Sequence, residues 1–411
     1  MNIGIETQER ILFQSIESGT KLSDLLSLNG LSYDDLRYID SFQEIGKTID
    51  CEEHTSLDSI DPSDESIPAI SFFSGAGGLD VGFKYAGFKN IISIEHVELF
   101  CNTLRLNSPE KIVIGPPDYP GDISKREDIA TVLRSYGIGT PFNGVFHGGP
   151  PCQSFSIAAN QRFNKSGDNF KRKGFDDEEK GMLLFDYIWY IKTFMPLAFL
   201  IENVGGITEF DDNEIIEGAL AELKELGYHI EPPQVIDAAF YDVPQHRKRW
   251  IVLGTRGSKA IHYPIPTITP MACGSVFERP ITNVPNHITR MHKADSIMRY
   301  MQLAPGQRDH LGRVDRLDPS KPSKTVIAGG VKGGGRSHLH PFVPRTISVR
   351  ECARLQTFPD DYVFTGTTAR QFTQVGNAVP PILAYKLALE IKTAIIEDWI
   401  ANEHLKPLTI T

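Results

Sequence analysis

From Ala69 onward, short apolar stretches alternate with helical ones, and this alternation constrains the fold more than any other feature of the chain. The stretches are AISFF running into SGAGG, then NIISIEH, GVFHGG and LAFLIENVGG; the last follows an apolar helix read from Met182 to Met195 and stopped by Pro196. Strand alternating with helix means a parallel sheet with helices on both faces. WIVLGT at 250–255 adds another strand. Beyond it, Gly257 to Arg345 is rich in Pro, Gly, His and Arg with little periodicity and reads as a separate, irregular small domain. Regular structure resumes at SVRECARLQ, where Ser348 and Glu351 form a capping box, and PPILAYKLALEIKTAIIEDWI reads as a long amphipathic helix.

Charge divides the chain differently. Residues 1–70 hold 4 Lys/Arg and 15 Asp/Glu, a net of −11, whereas Gln245 to Arg350 holds 18 Lys/Arg against 5 Asp/Glu, a net of +13. The basic segment suits a polyanion, because Lys and Arg on phosphates supply most sequence-independent affinity for nucleic acid. Residues 1–56 read as short helices, including KLSDLLSLNG closed by Asn29-Gly30 and LSYDDLRYI opened by Ser32 with Asp35. Their acidity argues against a DNA-reading helix pair. The linker SLDSIDPSDESIP ends near Pro68. No apolar run reaches the ~18 residues of a membrane span. The start MNIGIE lacks the basic and apolar regions of an export signal. Cysteines at 51, 101, 152, 273 and 352, without a CxxC pair, argue against a disulfide framework and a zinc site, and place the chain in a reducing cytoplasm.

In doubly wound sheets, ligands and catalytic groups gather beyond the carboxyl ends of the strands. That rule brings Ser74–Gly78, Cys152 and Glu202 to one edge. Cys152 follows one strand inside GGPPCQSFS, Glu202 ends the next in IENV, and the helix 182–195 is the crossover, so thiol and carboxylate can meet. Gly75-Ala-Gly-Gly78 permits close backbone approach but is not the dinucleotide pattern, since Asp80 stands at the third glycine position. Glu95, ending the second strand, suits ribose hydroxyls and so an adenosine-containing cofactor. Each residue alone also has a plainer reading: a strand-end acid, a surface turn, an inert thiol. Cys352 reads as packing and GPPDYP as a turn.

FFSGAGG, GGPPCQSFS, IENVGG, VPQHRKRW, RECARLQTFPDD and QVGNAVPP, in this order, resemble the motifs of the C5-cytosine DNA methyltransferases over roughly Ala69 to the end. The resemblance implies a Rossmann-like S-adenosylmethionine-dependent α/β sheet with an inserted target-recognition domain and an acidic helical extension. The boundaries are 1–66 for the extension, 67–256 and 346–411 for the catalytic domain, and 257–345 for recognition. It further implies that Phe73, Ser74, Gly75, Ala76, Gly77 and Gly78 cradle the cofactor. Glu95 with His96 would take its ribose and Asp122 with Ile123 its adenine, while Pro150, Leu183, Asn377 and Ala378 complete the pocket.

By the same resemblance Cys152 is the nucleophile, Glu202 contacts the cytosine ring, and Arg247 with Arg249 hold the active-site geometry. Gln153, Ser156, Arg313, Arg316, Lys332 and Arg336 become candidate DNA contacts, and Ala158 to Gly181 a lid. The family often carries an acid where Ser71 stands and an arginine where Lys180 stands. Cytosine C5 is a poor nucleophile, so a thiolate adds first at C6, Glu202 steadies the charge developing at N3, and the base is flipped out of the duplex to reach the thiol. Double-stranded DNA is the implied partner, with no metal and no membrane, in the bacterial cytoplasm at the nucleoid, and with a cognate restriction endonuclease acting on the same site. Rival readings are a transfer-RNA cytosine-5 methyltransferase of the same family and a catalytically silent DNA-binding relative.

Overall fold

The computed structural model describes residues 3–36, 57–61, 66–151, 183–209, 213–279, 281, 283–288, 292–328 and 338–404. It opens with two helices, α1 (Ile5–Ser18), closed by Gly19 in the left-handed conformation, and α2 (Leu22–Leu28). The next expected helix is a single 3-10 turn, Tyr33–Asp35, with its capping box made: the Ser32 amide donates to Asp35 Oδ2 at 2.8 Å.

The expected alternation follows. β1 (Ile67–Phe72), α3 (Gly78–Tyr85), β2 (Phe88–Ile94), α4 (Glu98–Asn107), β3 (Ile112–Ile114), α5 (Arg126–Ser135), β4 (Val145–Gly148), α6 (Leu183–Phe194) and β5 (Ala198–Val204) succeed one another. α6 ends at Phe194: Met195 leaves the right-handed helical region with φ 45°, and Pro196 disfavours helical backbone at the residue before it. α7 (Asn213–Glu225), β6 (His229–Ile230), β7 (Gln234–Asp237) and β8 (Lys248–Thr255) complete the main sheet, whose order is β3-β2-β1-β4-β5-β8-β6 with β7 also on β8. The first five strands of this order are parallel. β8, the WIVLGT strand, departs from the all-parallel expectation and runs antiparallel to β5, β6 and β7. It returns from β7 without the helical crossover that a parallel pair needs.

Alternate residues of each strand enter opposite cores, which is why the strands read as continuous apolar runs. Ile70, Phe72, Phe146, Phe199, Ile201 and Val252 face one cluster, with Leu133 of α5, Phe194 of α6 and Leu223 of α7. Ile67, Ala69, Val145, Leu200 and Leu253 face the other, covered by α3 and a long C-terminal helix.

Beyond β8 come α8 (Ala294–Met301) and a small sheet of β9 (Arg308–Asp309), β10 (Val314–Arg316) and β11 (His338–Leu339). Then follow α9 (Val349–Leu355), with its expected Ser348–Glu351 capping box, α10 (Thr368–Asn377) and α11 (Pro381–His404). Leu383, Leu387, Ile391 and Ile395 form the buried stripe of α11. The helix lies so close to α3 that a Cβ on Gly82 would stand 2.4 Å from the Ala384 Cβ. Cys273, Val276, Leu317 and Val326, from the stretch expected to be a separate domain, share a third cluster with α9 and α10. Cys352 lies in the same cluster, as packing.

Candidate active site

The parallel pairing of β4 with β5 sets Gly148 beside Ile201. From Gly148 the chain runs through Gly149, Pro150 and Pro151 to Cys152, which with Gln153, Ser156, Lys180 and the expected lid lies outside the described residues. Glu202 on β5 is buried, and its Oε1 lies 2.5 Å from Arg249 Nε on β8. A Cβ on Gly149 would come within 2.6 Å of Glu202 Oε2, so the second glycine of GGPP leaves this carboxylate its space. Asn203 joins the two motifs by donating from Nδ2 to Pro150 O at 3.4 Å. Burial pulls the Arg249 guanidinium down from its usual pKa and the Glu202 carboxylate opposes this.

Arg247, two residues back, has other partners. Almost wholly buried, it donates from Nη2 to Gly376 O at 2.9 Å and Ala378 O at 2.8 Å, and from Nη1 to Val326 O at 3.4 Å; its Nε is buried without a hydrogen-bond partner. It ties the start of β8 to the end of α10, and of the two arginines it is Arg249 that pairs with Glu202. Two fully buried glutamines that sequence reasoning did not single out extend this tie. Gln245 Nε2 donates to Leu355 O at 3.1 Å and Gln356 Oε1 at 2.9 Å, while its Oε1 accepts the Val326 amide at 2.7 Å. Gln356 Nε2 donates to Val375 O at 2.7 Å. Both lie inside quoted motifs, VPQHRKRW and RECARLQ, and a buried amide demands such partners.

At the cofactor edge, Phe73, Gly75 and Gly77 have φ of 52°, 55° and 82°, a sharp turn from β1 into α3. A Cβ on Gly77 would meet Tyr362 Oη at 2.7 Å, and that hydroxyl donates to Ala76 O at 2.6 Å. The buried Glu95 carboxylate accepts the Gly75 and Val97 amides, each at 2.8 Å, and His96 Nδ1 stands 3.2 Å from it. Gly115 and Gly121 let the neighbouring chain pass beneath: a Cβ on either would lie 2.2 or 2.1 Å from Glu95 O. Asp122 Oδ1 accepts from the Ser124 amide and hydroxyl, and Ile123 is buried with its carbonyl accepting from Tyr190 Oη. Pro150 and Ala378 are buried, Leu183 half-buried at the start of α6, and Asn377 exposed at the end of α10. Ser74 Oγ donates to Ser71 O and Ile94 O. A bare glycine turn above a strand-end carboxylate fits an adenosine-bearing cofactor.

Ser71 carries no charge itself, yet a carboxylate reaches it: its Oγ donates to Asp80 Oδ2 at 2.9 Å, while Ser93 Oγ and Lys111 Nζ donate to Oδ1 at 2.7 and 2.8 Å. Among the expected DNA contacts, Arg313 is exposed in the turn between β9 and β10, with φ 54°. Arg316 is anchored within the protein on one side of its guanidinium: Nε donates to Pro341 O, and Nη1 donates to Tyr300 O and Leu303 O. Lys332 and Arg336 lie outside the described residues.

Residues 67–393 match the sequence profile of the family described as C-5 cytosine-specific DNA methylase. The Type II methyltransferase M.PspPI of Psychrobacter is 31% identical over 88% of this chain and 86% of its own. M.NgoFVII of Neisseria gonorrhoeae, also a Type II methyltransferase, is 28% identical over 82% and 89%. A prophage-encoded protein of E. coli, described as a DNA modification methyltransferase, shares the fold with a TM-score of 0.64 at 24% identity, over 80% of this chain and 100% of its own. The chain thus belongs to the C-5 cytosine-specific DNA methylases. It is a DNA (cytosine-5-)-methyltransferase of the Type II kind and takes S-adenosylmethionine.

Among the described residues no helix is long and apolar enough to cross a membrane.

Proposed function

We propose that this enzyme methylates C5 of a cytosine flipped out of a specific duplex sequence, through a covalent bond between Cys152 Sγ and C6, as the modification partner of a restriction endonuclease acting on the same site. The observation that carries the reading is the Glu202–Arg249 pair beside Gly149, one strand end from the start of the Cys152 loop.

The cofactor supplies an electrophilic methyl group on a sulfonium; the protein makes the ring able to take it. Cys152 adds as thiolate at C6, which moves electron density to C5. Glu202 meets the N3 side of the ring. Its Oε1 is engaged by Arg249, which leaves Oε2 as the oxygen that shares a proton with N3 while charge develops there. Arg249 fixes that carboxylate, and Arg247 positions the surrounding chain by its carbonyl contacts. Methyl transfer to C5, loss of the C5 proton to a base and departure of Cys152 restore the aromatic ring. Ser74–Gly78, Glu95, His96, Asp122, Ile123, Pro150, Leu183, Asn377 and Ala378 hold the cofactor. Residues 257–345 read the sequence, with Arg313, Lys332 and Arg336 as contacts to phosphates or base edges, and Gln153 and Ser156 beside the flipped base.

Bisulfite sequencing of DNA from cells expressing the protein tests this reading. A single protected cytosine in one fixed sequence context is expected; scattered protection, or methyl transfer to transfer RNA and none to duplex DNA, would contradict it.

A further inference from the structure

The family match begins at residue 67, so α1 and α2 lie outside it. Their apolar faces are nonetheless covered. Ile11, Leu12, Leu22, Leu25, Leu26 and Leu36 form one buried cluster with Ile297 of α8, and Met298 and Met301 of the same helix pack against it. Removing these apolar side chains from water favours the docked arrangement of the two segments.

α8 is gripped on a second side. Its Tyr300 packs with Val314 of β10 and Leu339 of β11, and Arg316 of β10 donates to Tyr300 O at 2.8 Å and Leu303 O at 3.2 Å. β10 also carries Asp315, which pairs with Lys324 Nζ at 3.2 Å. The next residue, Thr325, donates from Oγ1 to His246 O at 2.6 Å, three residues before Arg249. A continuous packed and hydrogen-bonded path therefore runs from residues 1–36 through α8 and β10 to the edge of the active site. Further along the chain, Leu57 is buried in the cluster built on α9 and α10, and Asp58 pairs with Arg279 and accepts the Asp360 amide. The N-terminal region is thus fastened at both ends, to the basic inserted region and to the catalytic body.

Charge decides how such a region acts. Residues 1–36 hold six acids and two bases, so contact with phosphates is unfavourable and any influence on DNA passes through the packing on α8.

We propose that residues 1–36 brace the DNA-recognition region, with Leu12, Leu26 and Ile297 as positioning residues. By holding α8, and through β10 the segment 323–326, they present a recognition surface already ordered, which lowers the ordering cost of binding DNA. The inference rests on the reading that residues 257–345 recognise DNA.

The test uses the full chain with Leu12→Asp and, separately, Ile297→Asp, and with Leu12→Met as the conservative control. The brace predicts a KM for duplex DNA raised tenfold or more, cofactor affinity by calorimetry within twofold of the parent, and parent-like behaviour of Leu12→Met. An unchanged KM for DNA would overturn it, as would parallel loss of cofactor affinity, which is the mark of general destabilisation. If either aspartate variant fails to fold, Leu12→Ala combined with Leu26→Ala poses the same question at an expected shift of about threefold. The recognition reading is checked apart, by Arg313→Gln with Lys332→Gln and Arg336→Gln. If these leave DNA binding intact, that reading falls; if they weaken it while Leu12→Asp does not, only the brace falls.

Discussion

Arg249 Nε meets Glu202 Oε1 at 2.5 Å across the antiparallel pairing of β8 with β5, with both side chains almost out of water at 12% and 11% exposure. Removing one member of such a pair leaves a buried charge without its counterpart, at a cost of about 3–5 kcal/mol where the charge stays buried. For Arg249→Leu we expect kcat to fall on the order of 10²–10³ fold, with cofactor affinity retained. Glu202→Gln should turn over slowly while keeping most of its DNA binding. Single-turnover kinetics with labelled cofactor measure both, and full activity in either variant would remove the assigned role.

Gly149 gives a sharper steric test. Its missing side chain leaves room for Glu202 Oε2, and Arg249 limits how far that carboxylate can retreat. Gly149→Ala should lower kcat about tenfold or more while shifting the thermal midpoint by only a few degrees. Unaltered turnover would mean that the carboxylate need not stay where it is.

The Asp80–Lys111 pair is nearly closed to solvent, at 5% and 4% exposure, and also engages Ser71 and Ser93. Lys111→Met alone should cost about 3–5 kcal/mol in urea unfolding, and the double variant with Asp80→Leu less than the sum of its parts. Strictly additive losses would show that the two charges do not depend on each other.

Acid should unfold the protein by a route its buried imidazoles dictate. Burial holds His147 and His338 down at about 4 and His340 at about 3. Unfolded histidines titrate near about 6.5, so as pH falls below that value the unfolded state takes up protons that the folded state refuses. Stability is then lost at about 1.4 kcal/mol per pH unit for each such group. Glu351 adds to the loss at lower pH: although burial pushes its carboxyl up, the Arg345 guanidinium holds it well below the usual range. Urea midpoints should be level above pH 7 and fall steadily from about 6.5 towards 4. His147→Gln should flatten that slope, and a midpoint constant from pH 7 to 5 would contradict the account.

Which of these features could be read beforehand follows from their range along the chain. The β1-to-α3 turn, the β4 and β5 strand ends and the capping box at Ser348 depend on local pattern and were legible. The direction of β8 was not, because an apolar strand reads alike in either sense. Cys273, Val276, Leu317 and Val326 are isolated apolar residues amid Pro and Gly, and nothing in the sequence says which core they enter. The carbonyls that Arg316 finds on folding, on Tyr300, Leu303 and Pro341, were not legible either, because sequence reveals the charge of a guanidinium and not its acceptors. The Gln245–Gln356 contact spans more than a hundred residues and surfaced only with the fold.

The central claim is that Cys152 bonds to cytosine C6 before methyl transfer. A duplex carrying 5-fluorocytosine at the target position, incubated with enzyme and S-adenosylmethionine, tests it most directly, since fluorine at C5 cannot leave as the proton does. The account predicts a denaturation-resistant protein–DNA adduct for the parent chain and none for Cys152→Ser; an adduct formed equally by the serine variant, or methylation by that variant at the parent's rate, would contradict it.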